Sequence, residues 1–177
     1  GTNRKENTLR INKAVLPAES YRLLVTEAGI DIEAADAAGV FYGIQSLFSL
    51  MPPGSWKQPN PALELPMVQV EDQPRFGYRS LMLDVARNFK PKQTILKVLD
   101  MMALYKLNVL HLHFSDDEGW RIDIPSLPEL TSVGAVRGHT TDSKTLLPPS
   151  YASGPEAGKS LGTGFYSKDD FIEILKY

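Results

Sequence analysis

The chain has 177 residues, of which 42% are apolar and 23% charged, with a formal net charge of −2 at pH 7 and no cysteine. The near-neutral charge provides no basic surface for nucleic acid or an anionic membrane, and the lack of cysteine excludes disulfides, thiolate nucleophiles and cysteine-ligated metals. The chain has no run of 18 apolar residues, so no membrane span is predicted. No signal peptide is expected within the chain. Composition alone leaves the compartment open.

Proline content divides the chain. Six of the 13 prolines lie between residues 52 and 74, and proline breaks helices and cannot donate to a β-ladder. This stretch therefore predicts a connector, with a short strand at 67–70. We expect a small domain at 1–65, a proline-rich linker at 66–75 and a second domain at 76–177.

The first domain is predicted to be α+β. Apolar and polar residues alternate at 20–26 and 30–34, and the turn Glu27-Ala28-Gly29 between them predicts a hairpin. Leu9 and Ile11 suggest an earlier strand. A helical stripe ends at Pro52-Pro53, and its apolar members are Val40, Ile44, Leu47, Phe48 and Met51. The expectation is antiparallel strands with one helix packed across them.

The second domain has the pattern of a βαβ unit. Residues 80–85 and 109–114 are apolar on both faces, and a helical pattern runs between them from Pro91 to about Lys106. Two buried strands joined by a helix predict a parallel sheet, and a further helix begins at about 169. A parallel barrel needs eight strands and about 250 residues, so the sheet is either small and open or part of a longer protein.

Polar residues follow both predicted strands, at the carboxyl ends where parallel α/β folds place their sites. The first strand leads into Arg87, whose guanidinium can donate to vicinal hydroxyls or to an anion. The second leads into Asp116-Asp117-Glu118, which can accept from hydroxyls, orient a base or hold an arginine. On these residues alone, the prediction is a sugar- or acid-handling site.

Other interpretations of the same residues stay open. His111 and His113 share a face with Val109 and fit a sheet core, while His-x-His beside a carboxylate is a weak pattern for zinc. The acidic run also fits an exposed turn. Four arginines are candidate ion-pair partners for it: Arg75, Arg79, Arg121 and Arg137. No glycine-rich phosphate loop and no Gly-x-Ser-x-Gly motif occurs.

Two long motifs resemble those of the family 20 glycoside hydrolases, the β-N-acetylhexosaminidases. Residues 76–89, FGYRSLMLDVARNF, resemble the first barrel strand of that family, apart from Ser80, where many members have glycine. Residues 102–108, MALYKLN, and 111–122, HLHFSDDEGWRI, resemble the second. Residues 128–131 and 164–167 also match, most closely in the bacterial chitobiase branch. The resemblance covers nearly the whole chain, with residues 1–65 similar to the small α+β domain that precedes the barrel.

The resemblance implies the start of a (β/α)8 TIM barrel and a substrate-binding role for three residues. Arg87 matches the arginine that holds the 3- and 4-hydroxyls of the terminal sugar. Asp116 matches the aspartate that supports the catalytic acid through a histidine, and His113 matches a nearby pocket histidine. The implied partner is an N-acetylhexosamine-containing oligosaccharide or glycan, as in chitin degradation. No metal or cofactor is implied.

The family's acid/base Glu and its neighbouring Asp, in a His-x-Gly-Gly-Asp-Glu motif, have no match in the 177 residues. No catalytic residue is therefore expected in this chain, which is interpreted as a truncated part of a retaining, substrate-assisted hydrolase. The alternatives are a non-catalytic carbohydrate-binding or scaffold fragment and a partner-binding α/β module. The resemblance favours a periplasmic or secreted parent protein, and the open barrel edge predicts self-association.

Overall fold

The computed structural model describes residues 8–56, 63–148, 151–157 and 161–177. The chain divides into two compact units, Gly1–Arg79 with Leu104–Lys106 and Ser80–Ala103 with Leu107–Tyr177. The two units differ in architecture, since the first is built on a four-stranded mixed sheet and the second on a parallel strand pair with helices. The chain thus has the predicted mixture of an α+β unit followed by a βαβ unit.

The sheet of the first unit contains β1 (Thr8–Lys13), β2 (Tyr21–Thr26), β3 (Gly29–Ala34) and β4 (Val68–Asp72) in the order β1-β3-β2-β4. The predicted hairpin is confirmed, since β2 and β3 pair antiparallel. The strand within the predicted linker, β4, pairs antiparallel with the other side of β2. The prediction of antiparallel strands is wrong for β1, which runs parallel to β3. The chain reverses direction after β1 and again after β2, so β1 and β3 run the same way, and β3 lies between the other two strands.

One face of this sheet forms the core. Tyr21, Leu23 and Val25 are buried on β2, and the residues between them are exposed. The buried face is covered by α1 (Ala37–Ser49), whose N-cap Asp36 accepts a hydrogen bond from the Gly39 amide. The helix and the sheet pack closely together at Gly43, where an added Cβ would lie 2.9 Å from Ile32 Cγ2. A short 3₁₀ turn, Pro53–Trp56, follows the helix.

The second unit begins with the predicted βαβ. Strand β5 (Ser80–Asp84) leads through α2 (Lys92–Leu104) to β6 (Val109–His113), and β5 and β6 pair in parallel. The parallel pairing is therefore confirmed. Buried Val85, Ile95, Tyr166 and Ile174 form the core of this unit.

Short elements complete the second unit. They are the hairpin strands β7 (Ser115–Asp116) and β8 (Gly119–Trp120), the turn of helix α3 (Glu129–Ser132), the strands β9 (Gly138–His139) and β10 (Ser153–Gly154), and helix α4 (Lys168–Lys176). A capping box between Ser167 and Asp170 starts α4, which is the predicted final helix.

The expectation that β5 is buried on both faces is wrong in this chain. Leu81 is 38% exposed and Met82 is 55% exposed. A parallel strand is buried only where neighbouring strands and helices cover it, and β5 and β6 form a two-stranded sheet within the described ranges. Among the same residues, no helix is long and apolar enough to span a membrane.

Candidate active-site edge at the ends of two parallel strands

Strands β5 and β6 end side by side. Asp84 and His113, their last residues, are register partners. The chain then turns at the end of β5, because the Val85 and Ala86 amides both donate to the His113 carbonyl, at 3.2 and 3.1 Å. The turn places Arg87 next to the residues that follow β6, as the strand-end argument predicts.

Asp84 fixes both the backbone and the side chain of Arg87. Its Oδ1 accepts from the Arg87 amide at 3.0 Å, and its Oδ2 accepts from Arg87 Nη1 at 2.8 Å. Hydrogen bonding to Asp84 is the largest cause of a raised pKa of the Arg87 guanidinium, and the charges of Asp116 and Asp84 also contribute. Arg87 is thus a permanent cation, and its side chain remains 24% exposed.

Asp116 joins Arg87 to His113. Its Oδ2 lies 2.6 Å from Arg87 Nη2 and 2.7 Å from His113 Nε2, and its Oδ1 accepts from the Asp117 amide at 2.8 Å. The hydrogen bond from His113 is the largest cause of a lowered pKa of Asp116. The structure therefore brings together all three predicted substrate-binding residues: Arg87, Asp116 and His113. Their role toward a sugar remains a proposal.

The hairpin of β7 and β8 places the three acidic residues in different surroundings. Asp116 pairs with Gly119 across the hairpin. Asp116 and Glu118 both approach Arg87, with Glu118 Oε2 3.6 Å from Arg87 Nε, whereas Asp117 is exposed. Asp117 and Glu118 form the turn between β7 and β8, and this turn leaves the first and third acids beside the arginine and the middle one exposed to solvent.

A buried arginine supports this edge from behind. Arg121 is fully buried, and its guanidinium donates to the carbonyls of Val85 at 3.0 Å, Ala86 at 2.8 Å, Ala135 at 2.8 Å and Gly164 at 3.1 Å. Burial lowers the pKa of Arg121 to about 10. The interpretation of Arg121 as an ion-pair partner of the acidic run is wrong, because its donors bind backbone carbonyls.

Arg79, another candidate ion-pair partner of the acidic run, binds other residues instead. Its Nη2 is 2.7 Å from Glu19 Oε2 and donates to the Tyr42 hydroxyl at 2.8 Å. Both partners belong, with Arg79, to the first unit. The motif residue Arg79 therefore has a structural partner of its own, and Arg87 is the arginine that the acidic run surrounds.

Further polar groups near Arg87 had no sequence signal. Asn88 is 3% exposed, and its side-chain amide contacts His139 Nδ1 at 3.2 Å and donates to the Tyr151 carbonyl. The Tyr151 ring centroid lies 6.0 Å from Arg87 Cζ, and the Ser153 hydroxyl donates to the Arg87 carbonyl. His139, Tyr151 and Ser153 lie in or beside the short strands β9 and β10, a region without regular apolar periodicity, and Asn88 is notable in the sequence only for directly following Arg87.

The His-x-His pattern does not build a metal centre here. His111 is exposed, and His113 Nε2 is engaged by Asp116. Across the part of the chain that the structure describes, no group of three or more His, Asp or Glu residues is arranged to hold a metal ion. The geometry instead presents a fixed guanidinium and carboxylate pair, which suits a ligand with several hydroxyl groups.

Comparison with known proteins assigns the family. The family model described as "Glycosyl hydrolase family 20, catalytic domain" matches residues 76–177, and the model "Glycosyl hydrolase family 20, domain 2" matches residues 1–73. The chain belongs to glycosyl hydrolase family 20. The resemblance stated from the two motifs is therefore confirmed, and the second unit is the start of the family 20 catalytic domain.

Curated relatives agree with this assignment. The chain is 46% identical over 178 residues to N,N'-diacetylchitobiase of Vibrio harveyi, covering 96% of this chain and 19% of the relative. It is 42% identical over 181 residues to β-hexosaminidase B of Pseudoalteromonas piscicida, covering 100% of this chain and 22% of the relative. This family 20 chain thus spans about a fifth of the length of these relatives.

Solved structures show the same fold. A mutant β-hexosaminidase of Streptomyces plicatus in complex with the product GlcNAc matches with a TM-score of 0.76 and 38% identity, over 96% of this chain and 31% of that one. The exo-β-N-acetylglucosaminidase of Vibrio harveyi in complex with N-acetylglucosamine matches with a TM-score of 0.77 and 32% identity, over 95% and 25%. The α+β unit followed by the beginning of a barrel is therefore the family 20 arrangement.

Proposed function

We propose that the protein containing this chain removes terminal, non-reducing N-acetylhexosamine, GlcNAc or GalNAc, from chito-oligosaccharides or glycans. The observation that carries the proposal is the fixed Arg87–Asp116 pair at the strand ends of a family 20 domain. Relatives of this chain are named chitobiase and β-hexosaminidase, and matching structures hold GlcNAc. The family resemblance favours a periplasmic or secreted parent protein.

Arg87 is proposed to bind the 3- and 4-hydroxyls of the terminal sugar. A guanidinium carries five N–H donors in a planar fork. Nη1 donates to Asp84 and Nη2 forms an ion pair with Asp116, so both terminal nitrogens retain N–H groups for a ligand. Two adjacent donors of fixed orientation match two vicinal hydroxyl oxygens. Since hydrogen bonds to charged groups contribute about 1.5–3 kcal/mol each, this contact discriminates strongly for a sugar that presents both hydroxyls.

Asp116 and His113 are proposed to act beside this contact. Asp116 is held as a carboxylate by Arg87 and His113, so it remains an acceptor at neutral pH. In the proposed reaction Asp116 supports the catalytic acid through a histidine elsewhere in the parent protein. His113 fixes the carboxylate in place and forms part of the pocket wall.

The proposed reaction is retaining and substrate-assisted. The oxygen of the substrate's 2-acetamido group attacks the anomeric carbon, which is an exception to the two-carboxylate scheme of most glycosidases. A Glu protonates the leaving oxygen, and the Asp before it holds the acetamido group. The 177 residues contain no His-x-Gly-Gly-Asp-Glu motif, so both residues are assigned to another part of the parent protein. Asp116 and Asp117 do not replace them, because Asp116 is engaged by Arg87 and His113 and Asp117 is exposed.

A second function applies to the 177 residues taken alone: a non-catalytic carbohydrate-binding or scaffold segment. The specific observation in its favour is the Arg87–Asp116 pair, the proposed sugar contact, in a chain with no assigned general acid. Loss of general acid catalysis alone typically lowers a reaction rate 10²–10⁴-fold, so the chain by itself is expected not to hydrolyse the sugar.

The test compares the parent protein and the 177-residue chain on a chromogenic β-GlcNAc glycoside and its β-GalNAc and β-glucose counterparts. We expect the parent protein to release the chromophore from the two N-acetylated substrates and the chain alone to release none. Inactivity of a folded parent protein on both N-acetylated substrates would overturn the proposal. Equal activity on the β-glucoside would overturn the acetamido mechanism, since glucose has no 2-acetamido oxygen.

A further inference from the structure

Glu118 is a carboxylate whose position the family assignment does not explain. Its side chain is 11% exposed. Within the described ranges, Glu118 Oε2 and Arg87 Nε are both buried without a hydrogen-bond partner, and the two atoms lie 3.6 Å apart. This separation is an ion pair by distance but exceeds a normal N–H···O hydrogen bond. A buried charge that is not hydrogen-bonded is costly, and Arg87 is the cation that offsets it.

The hairpin holds Glu118 in this position from behind. A Cβ on Gly119 would lie 2.7 Å from Arg121 Nη2 and 2.8 Å from the Ala86 carbonyl oxygen, so the backbone after Glu118 rests directly on the buried Arg121. The next residue is also fixed, since the Trp120 amide donates to the Gly134 carbonyl at 2.9 Å. Glu118 is therefore presented on a supported turn, and its approach to Arg87 is set by the fold.

Three carboxylates surround one guanidinium, each on a different nitrogen. Asp84 meets Nη1, Asp116 meets Nη2 and Glu118 faces Nε. With Glu118 present, the buried Nε edge faces protein, and N–H groups of Nη1 and Nη2 are the donors left for a ligand. Without it, the guanidinium would be held by its two terminal nitrogens alone and would be free to tilt about them.

We infer that Glu118 is a positioning residue for Arg87, which holds the Nε edge so that both outer N–H donors meet the vicinal hydroxyls of the sugar. The inference rests on the proposed function of the parent protein. Glu118 does not touch the sugar in this arrangement; it acts through Arg87. Its contribution should therefore appear only when the substrate carries the hydroxyls that Arg87 binds.

The experiment compares the kinetics of two single variants and the wild type of the full-length parent protein on two substrates. Glu118→Gln removes the charge and keeps the size, and Asp117→Asn removes an equal charge from the exposed neighbour in the same turn. Both variants and the wild type are assayed on a chromogenic β-GlcNAc glycoside and on its 4-deoxy analogue. We expect Glu118→Gln to lower kcat/KM about tenfold on the first substrate, comparable to one charge-assisted hydrogen bond, and less than threefold on the analogue. Asp117→Asn should stay within about twofold on both.

Each outcome decides the inference. If Glu118→Gln and Asp117→Asn behave alike on the normal substrate, Glu118 does not position Arg87. An equal loss on the normal and deoxy substrates also overturns the inference, because that loss would be a general structural effect. An inactive wild-type parent protein overturns the proposed function instead, so the two failures are distinguishable. If Glu118→Gln does not fold, Glu118→Asp, which keeps the charge but withdraws it by one methylene, must show the same dependence on the 4-hydroxyl.

Discussion

Asp116 Oδ2 lies 2.6 Å from Arg87 Nη2 and 2.7 Å from His113 Nε2. One carboxylate oxygen thus links the end of β5, the end of β6 and the hairpin that follows. The arrangement joins residues separated by more than twenty positions in the chain, and the parallel pairing of Asp84 with His113 brings the residues after both strands to the same edge. Perturbing Arg87 should therefore affect ligand binding before it affects the fold.

Arg87→Lys should sharply reduce activity in the parent protein. Lysine keeps the charge but replaces the planar fork with a point donor that cannot hold Asp84, Asp116 and two sugar hydroxyls together. We expect kcat/KM to fall about 10²-fold or more, which corresponds to about 3 kcal/mol. Steady-state kinetics on a chromogenic β-GlcNAc glycoside measure this change.

The matched control is Arg10→Lys. Arg10 also makes a close pair with a carboxylate, Asp31, at 2.5 Å, but on the first unit's sheet. Its replacement should leave kcat/KM unchanged. Wild-type kinetics for Arg87→Lys would show that Arg87 is a structural ion-pair residue, and the proposed sugar contact would be wrong.

Strand periodicity explains how much of this edge could be predicted from the sequence. The apolar runs around Leu83 and Leu112 predict two parallel strands, and the polar residues directly after them then meet at one edge. The proximity of Arg87 and Asp116 follows from that step. Their assignment to sugar hydroxyls came from the family motifs, because strand periodicity cannot distinguish a sugar from another polar ligand.

Other features depend on tertiary contacts that periodicity does not encode. Arg121 looks like a surface partner for the acids in sequence, yet the structure buries it against four carbonyls. The parallel direction of β1 depends on β3 inserting beside β2. The Tyr151 and Ser153 contacts with Arg87 come from a loop that brings residues more than 60 positions apart together. None of these has a local signal.

Arg121→Met should destabilise the fold strongly. Methionine fills a similar volume but leaves the carbonyls of Val85, Ala86, Ala135 and Gly164 without their donor. An unsatisfied buried polar group costs about 1–3 kcal/mol, so we expect the free energy of unfolding to fall by about 3 kcal/mol or more. Urea unfolding followed by tryptophan fluorescence and circular dichroism measures it.

Arg22→Met is the control for this effect. Arg22 is an exposed arginine on β2 whose pairs with Glu33 and Glu71 are 3.8 and 3.3 Å long. Exposed pairs contribute about 0–1 kcal/mol, so its loss should change stability by less than about 1 kcal/mol. Equal destabilisation by the two substitutions would mean that the carbonyl contacts of Arg121 add nothing beyond an ordinary surface pair.

Asp170 should make stability depend on pH in the acid range. Hydrogen bonds from Lys92 and Ser167 lower the pKa of Asp170 from 3.8 to about 2 in the folded state. Because the folded pKa is depressed, the stabilisation is present above about pH 4 and is lost as the pH falls through about 2. The side chain is 32% exposed, so after screening by solvent we expect about 1 kcal/mol.

The measurement is the unfolding free energy of wild type and Asp170→Asn at pH 7, 4 and 2. The difference between them should shrink toward zero at pH 2. Asp169→Asn, in the same first turn of α4 but exposed, controls for the charge near the helix N-terminus and should show a smaller difference. A wild-type advantage that persists unchanged at pH 2 would contradict the assigned pKa.

The 177-residue chain on its own should self-associate and show no glycosidase activity. Strands β5 and β6 form a two-stranded sheet in the described residues, and Met82 is 55% exposed on β5. Exposed apolar surface beside unpaired strand edges favours association between chains. Light scattering coupled to size exclusion should show dimers or larger species, and Met82→Glu should shift them toward monomer. Met101→Glu on α2, where Met101 is 60% exposed, places the same charge away from the strands and should shift them less.

A clean wild-type monomer that also hydrolyses a β-GlcNAc glycoside would contradict both parts of this prediction, and the general acid would then have to be sought among Asp116, Asp117 and Glu118.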